Sequence, residues 1–394
     1  MKIVVLTQFF LPEMGAPQTR LYELCQGLQQ LGWQVEVVTA MPNYPNGKIA
    51  DGYRTKFSCT EQADFVIHRY WLYASNSQRT LPRIVSMLSF SFTALFSLFK
   101  VKKFRPHYLL VESPPLTLGF TGWLLSKFTS SRLILNISDL WPLSAKELGA
   151  INDGFAYRCL ERLEDFLYQN SRICTGQSQE IVEYIAARKK EKVWLLRNGV
   201  DTARFEAKAN FKRTNKIIYA GLLGVAQGIF ALCHDINFSA LGLELHIYGS
   251  GNEKEKIVNF LNQNHDKGIF YKGIVTRQQI PGTLLLYDAA LVSLAKNIYG
   301  AVPSKIYEAM AAGLPILFSG EGEGAKIVET EMVGWVNNPK DLQSFKNNLA
   351  KLHSLSNESL IEMKRRGAKV AKEKFDRTKQ IQNLHQLLIA DFTL

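Results

Sequence analysis

Short apolar runs alternate along this chain with segments of helical period, and that alternation constrains the fold more than any other feature. Lys2–Thr7 (KIVVLT) reads as a buried strand, and Gln8–Ala16 as the loop that follows it. Pro17 opens a helix in which Leu21, Leu24, Leu28 and Leu31 keep helical spacing, and Gly32 stops it. Val35–Thr39 is a second strand. Further strands are predicted near Phe65–Tyr70, Tyr108–Val111, Arg132–Ile137 and Val193–Leu196. Strands that read apolar on both faces belong to parallel sheets covered by helices, so the pattern calls for βαβ units.

The polar stretch from Asn198-Gly199-Val200-Asp201 to Asn215 interrupts the pattern and marks a domain boundary. Beyond it the alternation restarts. Lys216–Ala220 is a strand, Gly221–Gly228 a glycine-rich turn into a helix, and Leu243–Tyr248 a strand ending in Gly249-Ser250-Gly251. Phe270, Leu291–Ser293 and Pro315–Phe318 mark more strands. From about Asn357 the chain turns helical and basic, and Ile381, Leu384, Leu387 and Leu388 form a last amphipathic stretch. A length of 394 residues suits two domains of roughly 200 each. The expected fold class is therefore α/β, with two Rossmann-like, doubly wound parallel sheets.

The formal net charge is +12, which asks for an anionic partner: nucleic acid, membrane or a phosphorylated substrate. The basic residues are dispersed and no nucleic-acid-binding pattern appears. Met87–Phe99 (MLSFSFTALFSLF) is about 13 residues, short of the ~20 that a spanning helix needs, and reads as a core helix or an interfacial segment. Lys100, Lys102, Lys103 and Arg105 follow it directly, as they would in a protein resting on an anionic leaflet. Five scattered cysteines without a CxxC pair read as reduced thiols. Met1-Lys2 runs straight into Ile3–Leu6, too short for a signal sequence, so a cytoplasmic chain is expected.

In doubly wound folds ligands bind beyond the carboxyl ends of the strands. Gly15-Ala16 could present bare N–H groups to an anion in the first domain. Gly221, Gly224 and Gly228 space a similar loop in the second but do not fit GxGxxG. The densest constellation is Tyr299–Pro315, YGAVPSKIYEAMAAGLP. Val302-Pro303-Ser304 signals a helix start with Ser304 as cap. Lys305 suits a phosphate, and Glu308, an acceptor-only carboxylate, suits a ribose diol; alternatively the two form a solvated pair on an ordinary helix. Asp139 in Asp139-Leu140-Trp141-Pro142 reads either as an acid at a strand end or as a helix cap. The histidines show no metal-ligand spacing, and neither GxSxG nor GxxxxGK[ST] occurs.

Taken in order, these residues resemble the retaining glycosyltransferases of GT-B fold, family 4. Gly15, Leu31-Gly32-Trp33-Gln34-Val35, Asn198-Gly199-Val200-Asp201 with Phe205, Gly221-Leu222-Leu223, Ile247-Tyr248-Gly249-Ser250-Gly251, Lys272-Gly273 and Ser304–Pro315 carry the likeness across nearly the whole chain. Asp139–Pro142, Ala226-Gln227-Gly228 and Val302–Lys305 look like the subgroup that builds bacterial O-antigen and capsule chains, including N-acetylfucosamine-type transferases. The resemblance implies two domains facing a central cleft: residues 1–200 for the acceptor, residues 201–375 for the nucleotide sugar, and a helix over 376–394 returning to the first.

It implies a donor site drawn from Gly15, Ala16, Arg197, Gly221, Tyr248, Gly249, Gly251, Gly273, Ala301, Val302, Ser304, Lys305 and Glu308. The first acid of the family's paired-glutamate motif falls on Gly300, and its basic pair on Leu222 and Gln227, so Lys305 becomes the replacement cation. Glu112 or Asp139 stands in for a family histidine. Retention without a metal or cofactor is implied, with a UDP-sugar donor, a hexose or amino sugar transferred, a lipid-diphosphate-linked saccharide acceptor, and peripheral contact with the inner face of the plasma membrane. A UDP-sugar 2-epimerase of similar layout and a basic nucleic-acid-binding protein are the alternatives.

Overall fold

The computed structural model describes every residue except Met14, Gln78, Lys190, residues 206–211 and Leu394. Parts of the predicted 8–16 loop, of the 198–215 boundary and of the 376–394 helix thus lie outside the described residues. The chain divides into two units, one of residues 1–197 with 378–394 and one of residues 198–377.

In the first unit the strands are β1 (Lys2–Thr7), β2 (Gln34–Ala40), β3 (Ser58–Gln62), β4 (Val66–Tyr70), β5 (Tyr108–Ser113), β6 (Arg132–Ile137), β7 (Ile173–Gly176) and β8 (Val193–Leu195). They form one sheet in the order β3-β4-β2-β1-β5-β6-β7-β8, with Val5 beside both Val37 and Leu110. All neighbours are parallel except β3, a polar edge strand antiparallel to β4. β3 and β7 have no counterpart in the sequence reading. Ser58–Gln62 (SCTEQ) buries neither face, so no apolar run announces it.

The helix Ala16–Gln30 presents Leu21, Leu24 and Leu28 to this sheet, and the terminal helix Arg377–Thr393 adds Ile381, Leu384 and Leu388 to the same core. Gly27 lets the two helices approach, because a Cβ there would sit 2.8 Å from Ile381 Cδ1. Asp391 fastens the terminal helix. Buried, it accepts from Tyr108 Oη (2.9 Å), Arg172 Nε (2.9 Å) and Lys192 Nζ (2.6 Å).

The second unit repeats the plan with β9 (Lys216–Ala220), β10 (Glu244–Tyr248), β11 (Ile269–Tyr271), β12 (Ala289–Ser293), β13 (Ile316–Ser319) and β14 (Gly334–Asn337). All are parallel, in the order β11-β10-β9-β12-β13-β14. Both faces are covered. Ile217, Tyr219, Leu245 and Leu291 fill one layer, and Ile218, Val292, Ile306 and Tyr307 the other.

One expectation needs correction. The apolar segment predicted over Met87–Phe99 is part of a longer helical rod, Thr80–Thr93, Ala94–Ser97 and Leu98–Phe104. Its stretch Leu81–Phe104, 24 residues, is long and apolar enough to cross a membrane. The sequence run looked short because its serines and threonine interrupt it, yet on a helix these hydroxyls bond to carbonyls of the preceding turn, as Ser91 Oγ does to Met87 O at 2.8 Å.

Candidate active site

The second unit gathers its candidates at the carboxyl ends of β9 and β10 and at the start of the helix Ser304–Ala311. Pro303 is the cap of that helix, with extended backbone and no side-chain capping bond. The expectation that Ser304 caps it is thus corrected: Ser304 is the first helical residue. Proline at the cap lacks an N–H to satisfy and already holds the required φ. Ile306 N donates back to Pro303 O at 3.0 Å, whereas the N–H groups of Ser304 and Lys305 have no carbonyl partner within the helix among the described residues.

Glycines make room for what lies above them. At Gly221 a Cβ would fall 2.0 Å from Lys305 Cε and 2.4 Å from its Nζ, so Lys305 lies across the end of β9 only because residue 221 has no side chain. At Gly249, with φ 142°, a Cβ would meet Gly221 O at 1.8 Å. The loops after β9 and β10 are therefore in backbone contact, locked by Gly221 N to Tyr248 O and Leu223 N to Ser250 O, both 2.9 Å. Gly251 (φ 154°) meets Leu223 in the same way, and Gly249 N donates to Gly273 O at 2.9 Å.

These loops wall a cavity of about 300 Å³, lined by Gly221, Tyr248, Gly249, Ser250, Val275 and Ile280 among others. A smaller hollow shares Ala220 and Ile280 with it and reaches Lys305 and Glu308. The Tyr248 hydroxyl faces the Tyr287 hydroxyl at 3.0 Å, and Tyr287 in turn meets His246 Nδ1 at 3.0 Å. That chain links the cavity wall to the buried side of the sheet.

Lys305 and Glu308 keep some surface yet are closely surrounded. Burial lowers the Lys305 ammonium below its ordinary value, with Glu308 opposing. Burial raises the Glu308 carboxyl, against the pull of Lys305, Arg204, Arg377 and Arg277. Lys305 Nζ rests 5.5 Å above the Tyr219 ring. Among the described residues neither Lys305 nor Glu308 makes a side-chain hydrogen bond or close ion pair within the protein. They are not the solvated pair of an ordinary surface helix.

Sequence reasoning passed over Arg204, Arg277 and Arg377. Arg204 Nη2 donates to Arg277 O at 2.6 Å, and Arg377 holds Asn198 O (3.0 Å) and Gly199 O (2.8 Å). They are far apart in sequence, and only the fold turns them towards one carboxylate. Ala301 and Val302 sit in the turn before the helix, Val302 packed against the core. Gly300 has φ 83°, a left-handed turn that explains a glycine where the resemblance expects an acid. Leu222 is exposed, and Gln227 Oε1 is buried without a partner among the described residues.

In the first unit Glu112 is the last residue but one of β5. Its Oε1 accepts from Arg20 and Ser138, and its Oε2 from Asn136 Nδ2 at 2.5 Å. Thr175 Oγ1 donates to Asn136 Oδ1 (2.6 Å) and Gln177 Nε2 to Ser138 Oγ (2.6 Å), which ties β5, β6 and the end of β7 together. Burial raises the Glu112 carboxyl, and Arg20 opposes it. Asp139 is not a helix cap, since Pro142 fills that place before Leu143–Glu147; instead it accepts from Ser144 Oγ at 3.1 Å and keeps some exposed surface. Gly15 precedes Ala16–Gln30, with the Gln18 carboxamide filling the space beside it. Gly15, Ala16 and Arg197 belong to this first unit, and the other donor candidates belong to the second.

Residues 15–199 match a family described as glycosyl transferase 4-like domain, and residues 214–354 one described as glycosyl transferases group 1. A protein of Escherichia coli K12, provisionally named as the colanic acid biosynthesis glycosyl transferase WcaI, is 24% identical over 335 residues, which is 79% of this chain and 82% of WcaI. In fold the chain is similar to sucrose-phosphate synthase from Thermosynechococcus elongatus, with TM-score 0.74, 15% identity and all of both chains covered. HepE of Anabaena in complex with UDP gives TM-score 0.73 at 14% identity, over 99% of this chain and 100% of HepE. HepE is also solved with UDP-glucose, TM-score 0.67 at 14% identity, over 99% and 100%.

Proposed function

Because the chain is a GT-B glycosyltransferase, built from a glycosyl transferase 4-like domain and a group 1 domain, we propose that it is a retaining, metal-independent enzyme using a UDP-sugar. It transfers a hexose or amino sugar to a lipid-diphosphate-linked saccharide in bacterial surface-polysaccharide synthesis. Its place is the inner face of the plasma membrane, which it touches peripherally. The colanic acid assignment of WcaI supports the polysaccharide reading, and the UDP complexes of HepE support the nucleotide. The resemblance to O-antigen and capsule transferases of N-acetylfucosamine type belongs to this proposal.

One observation carries the donor site: Lys305 and Glu308 lie one helical turn apart beside a cavity, and their side chains make no hydrogen bond to the protein among the described residues. Glu308 accepts from the ribose hydroxyls, and the cavity along Tyr248, Gly249 and Val275 takes the base. The Lys305 ammonium and the backbone N–H groups of Ser304 and Lys305 hold the diphosphate. In a front-face displacement the departing diphosphate oxygen takes the proton of the acceptor hydroxyl, so no separate side-chain base is required. Charge grows on that oxygen as the glycosidic bond breaks, and a cation already in place stabilises it most in the transition state. No cofactor is needed, since the nucleotide sugar is itself a substrate. In the first unit Asp139 is the acid with surface left for an acceptor hydroxyl, whereas Glu112 holds strand ends in register.

Lys305→Ala tests the reading. Turnover of a UDP-sugar with a lipid-linked acceptor should fall about 10²–10³-fold, the usual cost of removing one donor to developing charge. The melting temperature should hardly move. Unchanged turnover would sink the assignment, and an inverted anomeric signal in the product would sink retention. Donor consumed without acceptor would point to the epimerase instead, which neither family match favours.

A further inference from the structure

The rod Leu81–Phe104 is built inside out for a helix at the surface of a soluble protein. Its outer face carries Leu81, Ile84, Leu88, Phe92, Phe96 and Phe99, all exposed, with Phe92 at 64% and Phe99 at 83%. Their spacing of three or four residues keeps them within about a third of the helix circumference. The inner stripe is Ser86, Phe90, Ala94, Ser97 and Val101, mostly small or hydroxylated, and all buried. Ser91 Oγ and Thr117 Oγ1 meet at 2.8 Å, and Thr121 Oγ1 donates to Ser91 O at 2.7 Å, so this side is joined to the helix Leu116–Thr129 by hydroxyls. Water drives the largest apolar side chains inward, and here they point out.

The charge around the rod is one-sided. No Asp or Glu occurs from Phe65 to Val111, while seven Lys and Arg do. Lys102 and Lys103 are exposed at the C-terminal end of the ridge, whereas Lys100 is held by Thr60 Oγ1 at 2.5 Å. Phe96 is braced edge-on by Phe57 (5.3 Å) and by Phe92 (5.8 Å), which pre-forms the aromatic part of the ridge.

We infer that this face is a membrane-insertion surface: the rod lies in the plane of an anionic bilayer, its phenylalanines among the acyl chains and Lys102 and Lys103 at the headgroups. The inference rests on the proposed membrane contact and says how that contact is made, by apolar insertion with the lysines as accessory. A second copy of the chain fits less well, since self-pairing of this face would bring the exposed Lys102 and Lys103 of two copies together. A spanning role is also disfavoured, because the inner stripe is already committed to Leu116–Thr129.

Sedimentation of the full chain with vesicles decides it, using phosphatidylcholine alone and phosphatidylcholine with one-third phosphatidylglycerol. The variants are Phe92→Ser with Phe96→Ser and Phe99→Ser, Phe99→Ser alone, and Lys102→Glu with Lys103→Glu. All change exposed side chains, so melting temperatures and the thermal shift given by UDP should match the parent. Binding to the mixed vesicles should fall at least about tenfold in the triple variant and by a smaller, measurable factor in Phe99→Ser. The lysine variant should lose affinity for the anionic vesicles while keeping its residual binding to phosphatidylcholine. If the phenylalanine variants bind like the parent and only the lysine variant fails, membrane contact stands and insertion is overturned. If the parent stays in the supernatant, both fall. A parent dimer abolished by the triple variant, without vesicle binding, would assign the face to self-association and overturn the proposal too.

Discussion

Glu112 and Glu308 invite comparison, because each is an acid beside the end of a parallel sheet and each is raised by burial against nearby cations. Glu112 is closed. Arg20, Ser138 and Asn136 occupy both of its oxygens, and further bonds from Thr175 and Gln177 complete the network. Glu308 is open, with four cations around it and no hydrogen bond from them among the described residues. A buried carboxylate is costly unless its lone pairs are filled. The first unit fills them from its own chain, and the second leaves them unfilled among the described residues, as the proposed donor site requires. On the proposed reading, the contrast separates a group that holds strands together from one that recognises the donor.

Three experiments can break or sharpen that contrast. The largest effect should come from Arg20→Met, which leaves Glu112 without its cation; urea unfolding should show a loss of about 3 kcal/mol or more. A loss below about 1 kcal/mol would mean the closed network is not structural. Next, Glu308→Gln should leave the melting temperature near that of the parent while raising the KM for the donor by roughly tenfold or more, the worth of a hydrogen bond to a charged group. Parallel losses of stability and KM would erase the distinction between open and closed.

The smallest effect concerns a third acid. Glu164, almost wholly buried, accepts from two phenols, Tyr168 Oη at 2.6 Å and Tyr184 Oη at 3.2 Å, and burial pushes it from 4.5 to about 7. Its folded-state value lies above its unfolded one, so the native chain holds the extra proton between about pH 4.5 and 7. Its stabilising share is full below that window and is lost as pH rises through it. Unfolding of Glu164→Gln measured from pH 4.5 to 8 should show a flatter profile than the parent. An identical profile would show that neutral partners close a site as well as a cation does.

The first-unit network was hardly legible in advance. Arg20, Asn136, Ser138, Thr175 and Gln177 come from three separate segments, and none carries a motif. Glu112 was singled out only by resemblance, and its partners not at all. The edge strand Ser58–Gln62 escaped for a related reason: with both faces partly wet it has no apolar signature. The membrane-length rod was misjudged because hydroxyl residues interrupt the apolar run in sequence, although in space Ser86, Thr93 and Ser97 are buried while Phe92, Phe96 and Phe99 are exposed.

Sequence alone determined the βαβ alternation, the two parallel sheets and the helix start after Pro303, because each depends on residues adjacent in the chain or repeated at a fixed period. Glycines at 221, 249 and 251 could be read as loop residues, but not as the reason Lys305 has room to cross a strand end. Tertiary structure decided that, as it decided which acids find partners and which face of the rod Leu81–Phe104 is left bare. Burial, close approach and the sum of distant charges are properties of what lies across from a residue, and that is set by packing rather than by order along the chain.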